Sequence, residues 1–286
     1  RCNLYIMIKI NNSHHKWLRN FPFKKIKSHK NSRGQLIVVG GKKEMAGATL
    51  LSAEAALRTG VGSVKIVCNK KTLPIYSLKF PSLLKVEINT FKEFKKFVMR
   101  NKNSVYLIGP GAGVTLSTLN RTIYLLKNIK YVVLDADALT SFKKKTRKLH
   151  SLLDKNKIIT PHIKEFKTIF PDLKKINNYK NLILSAIKKT KATIVLKGNN
   201  TLIANNKKIL INKKSSNELA VIGTGDVLAG IISSLVGEKK MKPIEAASAG
   251  VWIHSKTAIN LKKGIIAEDL IKNLKNTINY IYGKYS

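Results

Sequence analysis

The sequence predicts an α/β domain with a mostly parallel central sheet, helices on both faces and an antiparallel edge. Three observations carry this reading. From Leu36 onward, short β-branched runs alternate with longer stretches of helical period, the pattern of strands joined through covering helices. The runs are apolar with little alternation, as strands buried on both faces should be. After Leu196 the pattern changes to turn residues between two further short runs, which reads as strands joined by tight turns.

In chain order, residues 36–39, 63–67, 105–108, 131–134, 157–159 and 193–196 are the predicted parallel strands. Residues 197–201 form a turn, and 202–204 and 208–211 complete the antiparallel edge. The remainder is helical: 226–236, 243–260 and 267–280 carry apolar residues three and four apart. No repeat or linker divides the chain. Residues 1–31 read as a poorly specified N-terminal extension and residues 32–286 as the domain.

A formal charge of +39 would ordinarily point to nucleic acid or an anionic membrane. Here lysine is scattered over nearly every segment, with no basic helix interleaved with aromatics and no zinc-finger spacing. Composition bias is therefore the better reading, although such a surface attracts a polyphosphate ligand. Cys2 and Cys68 are too few for a disulfide framework or a metal cluster, so a reducing compartment, the cytoplasm, is expected. No apolar run reaches the roughly 18 residues that span a bilayer. The lack of acidic residues before Glu44 fits a transit peptide and a lysine-rich composition equally, and a start at Arg1 suits a piece of a longer protein.

The segment that says most about chemistry is 222–232, where Gly223-Thr224-Gly225-Asp226 leads into an apolar helix. Glycines let the backbone approach an anion, and free N–H groups at a helix start bind phosphate oxygens. Asp226 is either a first-turn acid complementing the helix dipole or a reacting carboxylate inside that anion hole. The unit resembles the signature of ribokinase-like kinases, in which the aspartate is the catalytic base. No P-loop sequence occurs in the chain.

Residues 159–166 sit where a buried strand ends and a helix begins, the usual place for a site in an open parallel sheet. His162 and Glu165 share one helical face, suited to a ligand hydroxyl and a magnesium-bound water; the plainer reading is a helix start with a solvated glutamate. Lys197, Asn199 and Thr201 either offer donors to a nucleotide or belong to a simple hairpin turn. Glycine-rich loops at 40–48 and 109–113 also follow predicted strands, as do Asp135 and Asp137. All of these can line one crevice, with the two aspartates as ligands or as helix caps.

Taken in order, these segments resemble the ADP/ATP-dependent NAD(P)H-hydrate dehydratase family of the ribokinase-like superfamily. The similarity runs from His29 to Leu274, through residues 29–30, Gly34, 39–41, 45–48, 55–62, 109–111, 134–139, 160–162, 165–166, 196–198, 223–230, 249–254 and 266–270. It implies a ribokinase-like fold and a hydro-lyase that returns the S epimer of hydrated NADH or NADPH to NAD(P)H. The phosphoryl donor would be ATP or ADP, with Mg2+ as cofactor. Asp226 would be the base and a substrate contact. Gly223, Thr224 and Gly225, with Lys197, Gly198, Asn199, Asn200 and Thr201, would surround the nucleotide. Ala48, Gly109, Gly111, Gly113 and His162 would surround the hydrated nicotinamide nucleotide, and Glu165 would organise magnesium. The expected partners are this small-molecule substrate, an adenine nucleotide, further copies of the chain as a homo-oligomer, and an NAD(P)H-hydrate epimerase, fused or separate; neither nucleic acid nor membrane is expected.

The chain departs from the family at Lys164 and Ile222, where glycine is usual, and in the basic loop 212–217. The implied chemistry follows from a poor leaving group: hydroxide, whose conjugate acid has a pKa of about 15.7, departs only after phosphorylation. The alternatives are a small-molecule kinase of the same superfamily and a basic nucleic-acid-binding module.

Overall fold

The computed structural model describes residues 7–9, 18, 20–23, 33–213, 217–238, 240–261 and 263–285; Cys2, the pair His29 and Lys30, and the middle of the 212–217 loop lie outside them. Among the described residues there are ten strands: β1 (Met7–Lys9), β2 (Gln35–Val39), β3 (Ser63–Cys68), β4 (Leu84–Glu87), β5 (Val105–Ile108), β6 (Val132–Leu134), β7 (Lys157–Ile159), β8 (Thr193–Leu196), β9 (Thr201–Ala204) and β10 (Ile209–Asn212). The helices that follow β2 to β6 are α1 (Ala46–Thr59), α2 (Leu73–Ser77), α3 (Phe91–Arg100), α4 (Leu116–Asn128), α5 (Ala136–Thr140) and α6 (Thr146–Leu152). After β7 come α7 (Ile163–Ile169) and α8 (Tyr179–Ile187), and after β10 come α9 (Thr224–Leu235), α10 (Pro243–Ile259) and α11 (Ala267–Tyr285).

The strands form one sheet in the order β1-β10-β9-β8-β7-β6-β5-β2-β3-β4. Every neighbouring pair is parallel except β10–β9 and β9–β8. Thus β9 alone among the described strands runs against the rest. The chain lays down β2, β3 and β4 in one direction and then β5 to β8 in the other, so the strand order reverses between β2 and β5.

Both faces are packed, which is why the strands read as continuous apolar runs. Leu36 and Val38 enter a core beneath α1, α9, α10 and α11, whereas Ile37 and Val39 enter a second core beneath α3 to α8. The pleat still alternates, but it alternates between two apolar layers. Helix α10 sits in the first layer with Ala246, Ala247, Ser248, Ala249 and Gly250 all buried, small residues that let it lie close to its neighbours.

Two strands have no counterpart in the sequence reading. Leu84, Lys85, Val86 and Glu87 of β4 mix apolar and charged residues and are at most half-buried, as on a sheet edge. Met7–Lys9, within the stretch read as an extension, pairs in parallel with β10, and Leu18 and Phe21 are buried in the first core. Among the described residues, no helix is long and apolar enough to cross a membrane.

Candidate functional site

The parallel strands β8, β7, β6, β5 and β2 all end on one edge of the sheet, and each end carries polar or glycine residues into the same crevice. Asp135 follows β6. It stands at the N-cap position of α5 but makes no capping bond; its Oδ1 instead accepts from Lys197 Nζ at 2.7 Å and Thr160 Oγ1 at 2.8 Å. With Asp135 only 1% exposed, this is a buried ion pair in which the acid is also satisfied by a hydroxyl. Asp137 turns the other way and accepts from the Gly113 N–H at 2.7 Å. Between them Ala136 has φ of +44°, a left-handed conformation that costs an alanine about 1–2 kcal/mol.

The pairing of β7 with β8 continues past both strands: Lys197 N–H donates to Pro161 O at 2.9 Å, and His162 bridges to Lys197. This brings His162 beside the ion pair. His162 caps α7, its Nδ1 accepting from the N–H groups of Lys164 and Glu165, while Glu165 Oε2 accepts from the His162 N–H at 2.8 Å. The pair therefore forms a capping box. The solvated glutamate of the plainer reading is not found, because Glu165 is 9% exposed. Burial, foremost, raises the Glu165 pKa, with Lys197 opposing, and burial followed by Lys197 lowers that of His162. A neutral imidazole with an accepting Nδ1 leaves its proton on Nε2.

Helix α9 begins at Gly223, whose φ of +90° is closed to most side chains, and no side chain caps this end. An uncapped start of this kind is what the anion hole expected at residues 223–226 requires, although the Thr224 N–H is engaged with Val221 O at 3.4 Å. Thr224 is turned away: its hydroxyl donates to Leu219 O at 2.7 Å and its carbonyl accepts from His254 Nε2 at 2.9 Å. Burial pushes the His254 pKa down to about 4, which keeps the ring neutral. Asp226, half-buried, faces Asp135, Asp137, Glu165 and Lys197, and burial, followed by Asp135, pushes its pKa up to about 7. Lys197 lies against Gly225, where a β-carbon would stand 3.4 Å from Nζ. Burial disfavours the ammonium, but Asp135 and Glu165 outweigh it and hold the pKa above the usual lysine value.

The expected nucleotide residues divide between two positions. Lys197, Gly198, Asn199, Thr201, Thr224 and Gly225 line a cavity of about 170 Å³, closed on its other side by Leu219, Ala220, Leu228, Val251, His254 and Ser255. The apolar members suit the face of a planar base. Asn200 instead lies at the hairpin tip, lining a neighbouring cavity. Two donors expected to be free are engaged, since Thr201 Oγ1 bonds Gly198 O and Lys197 bonds Asp135.

Among the residues expected around the substrate, Gly109, with φ of +133°, runs so close to the next strand end that a β-carbon would fall 1.7 Å from Asp135 O. The loop Gly109–Gly113 thereby touches the acid cluster at both ends. Gly111 O accepts from Lys42 N–H. Ala48 is half-buried in the first turn of α1, and its neighbour Thr49 donates to Pro110 O at 2.9 Å. The residues that sequence reasoning did not single out are Thr160 as an Asp135 donor, the lining side chains Leu219, Ala220 and Ser255, and Arg121 of α4. Only the position of Thr160 at a strand end signalled its role.

Four carboxylates thus face one ammonium, an excess of negative charge that accommodates a cation. Among the described residues no three His, Cys, Asp or Glu converge to ligate a metal by themselves. The carboxylate oxygens of the cluster are the donor type that suits Mg2+, which keeps several waters and takes phosphate oxygens alongside one or two carboxylates.

A family model for NAD(P)H-hydrate dehydratase matches residues 36–279. The chain is 35% identical over 246 residues to the ADP-dependent (S)-NAD(P)H-hydrate dehydratase of Neisseria meningitidis serogroup B, covering 82% of this chain and 80% of that protein. It is 30% identical over 267 residues to a bifunctional NAD(P)H-hydrate repair enzyme of Thermosynechococcus vestitus, covering 88% of this chain and 51% of that protein. Among solved structures, a ribokinase-like superfamily protein of Enterococcus faecalis superposes with a TM-score of 0.82 at 22% identity, covering 98% and 99% of the two chains. The ADP/ATP-dependent NAD(P)H-hydrate dehydratase of Bacillus subtilis, co-crystallised with ATP/Mg2+, does so with a TM-score of 0.72 at 24% identity over 93% and 96%.

Proposed function

The chain belongs to the NAD(P)H-hydrate dehydratase family, and from that premise we propose that Asp226 is the base of a two-step dehydration of the hydrated S epimer of NADH or NADPH. The carrying observation is a half-buried carboxylate, with a pKa of about 7, in the first turn of an uncapped helix. A base is most effective when its pKa lies near the working pH.

The ring hydroxyl oxygen attacks the terminal phosphorus of ATP or ADP, its proton passes to Asp226, and the bond to the departing nucleotide breaks. First-turn N–H groups of α9 stabilise the transferring charge, each well-placed donor worth about 3–4 kcal/mol. The ring nitrogen lone pair then expels inorganic phosphate, and loss of a proton from the adjacent ring carbon restores the reduced nicotinamide. Lys197 holds Asp135 and neutralises charge beside Gly225. Residues 197–201 and 223–225 enclose the nucleotide, and Ala48, Gly109, Gly111, Gly113 and His162 enclose the hydrate. When bound with the nucleotide, Mg2+ would neutralise the phosphoryl oxygens, and Glu165 and Asp137 are the carboxylates that would hold it through water.

We further assign the protein to homo-oligomers, since Val114, Leu116, Ile222 and Ile266 are large apolar side chains in solvent, Ile222 at 95% exposure. The cytoplasm, where a buried free thiol such as Cys68 persists, and an epimerase that supplies the S hydrate complete the reading.

The test is absorbance at about 340 nm, characteristic of reduced nicotinamide, after mixing protein with hydrated NADH, Mg2+ and either ATP or ADP. A nucleotide-dependent rise, absent in Asp226→Ala, is expected. No rise, with a stable phosphoester formed on another substrate, would indicate a kinase of the same fold.

A further inference from the structure

Where the strand order reverses, between β2 and β5, a separate cavity of about 200 Å³ opens beside the substrate loops. Its walls include Gly41, Lys42, Ala112, Thr118 and Arg121, and no carboxylate lines it. Arg121 projects from the second turn of α4 with its guanidinium carbon 5.1 Å from the centroid of the Phe94 ring. Its Nε is buried without a hydrogen-bond partner, and burial lowers its pKa with no anion opposing. Arg121 as a whole is half-buried, and a partly desolvated cation lacking a counterion is unfavourable by itself, a cost that an entering anion would reverse. The planar fork of donors matches phosphate in particular. Lys42 lies across Gly113, where a β-carbon would stand 2.8 Å from its Cε. The N–H of that same Gly113 binds Asp137, a neighbour of Asp226. The cavity and the acid cluster therefore share the 109–113 loop as a common wall, and one long ligand can reach both. The end of α4 is not the attraction, because Thr115 Oγ1 already accepts from the Thr118 N–H.

Resting on the dehydratase reading, we infer that Lys42 and Arg121 bind a phosphate group of the hydrated dinucleotide, remote from the reacting ring. That phosphate is either part of the pyrophosphate or the 2′-phosphate that distinguishes NADPH from NADH. Recovery of reduced nicotinamide is measured with hydrated NADH and hydrated NADPH for the parent protein, Lys42→Ala and Arg121→Gln. Loss of a charge-assisted contact should raise KM about tenfold or more, with the loss falling on KM rather than kcat. A rise for NADPH hydrate alone assigns the 2′-phosphate, and an equal rise for both hydrates assigns the pyrophosphate. Unchanged KM in both variants overturns the inference. If the parent restores neither hydrate, the dehydratase reading falls and takes this inference with it, an outcome seen before any variant is made. Lys42 is exposed, so its variant reports even if Arg121→Gln does not fold.

Discussion

At Asp226, burial and the charge of Asp135 favour the protonated acid, while Lys197 favours the carboxylate. Acting as the proposed base, Asp226 must be ionised to accept the hydroxyl proton, so kcat/KM should fall about tenfold per pH unit below a bend near 7, and Asp226→Asn should lose about 10²–10⁴ in rate and abolish the bend. Stability moves in the opposite sense. An acid whose folded pKa is raised from 3.8 to about 7 keeps its proton in the folded state over that window, so folding free energy declines as pH rises from about 4 to about 7. Asn removes this effect, and thermal melts should show the variant more stable than the parent at pH 8 but not at pH 4. With solvent access discounted, the gain is about 1–2 kcal/mol. The Lys197–Asp135 pair behaves differently: Lys197→Met strands a buried carboxylate and should cost about 3–5 kcal/mol by denaturant unfolding, part of which Asp135→Asn restores. Sequence alone could not pair these two, which stand 62 positions apart. Arg121 was equally hidden, since in sequence it is one more cation on the polar side of an amphipathic helix.

The start of α7 places two roles on one glutamate. Glu165 closes a capping box and also belongs to the acid cluster, and the two uses separate by substitution. Gln at this position keeps the capping box, so Glu165→Gln should melt close to the parent while the Mg2+ concentration giving half-maximal rate rises several-fold. Glu165→Ala should additionally lose about 1 kcal/mol of stability. An unchanged Mg2+ dependence in Glu165→Gln would leave the cap as its entire role. Most elements were legible because the parallel strands are buried on both faces, where apolar content and β-branching suffice. Strand β4 was not, since Leu84 and Glu87 are exposed at an edge and carry no strong pattern. The hairpin from β8 to β9 was foreseen from Gly198, Asn199 and Asn200, but its sequence could not tell that Lys197 would turn inward to Asp135 while Asn200 turned to a second cavity.

Over the whole molecule, 54 cationic side chains face 15 acidic ones, and several acids are gathered at one crevice. Elsewhere the surface repels itself and attracts polyanions. Added salt, which shortens the Debye length from about 10 Å at 0.1 M to about 3 Å at 1 M, should therefore raise Tm while raising KM for ATP or ADP. Opposite movement of either quantity would argue that the charge is locally paired. The short strand β1 has a consequence at this scale as well. By pairing with β10 it covers the amide edge beside the reversed strand β9. A protein trimmed of residues 1–9, which keeps Leu18 and Phe21 in the core, would present that edge as an open template, inviting other chains to add strands to it. Such a truncation should remain folded yet scatter light increasingly with concentration and time, so that the outermost strand acts as the molecule's guard against aggregation.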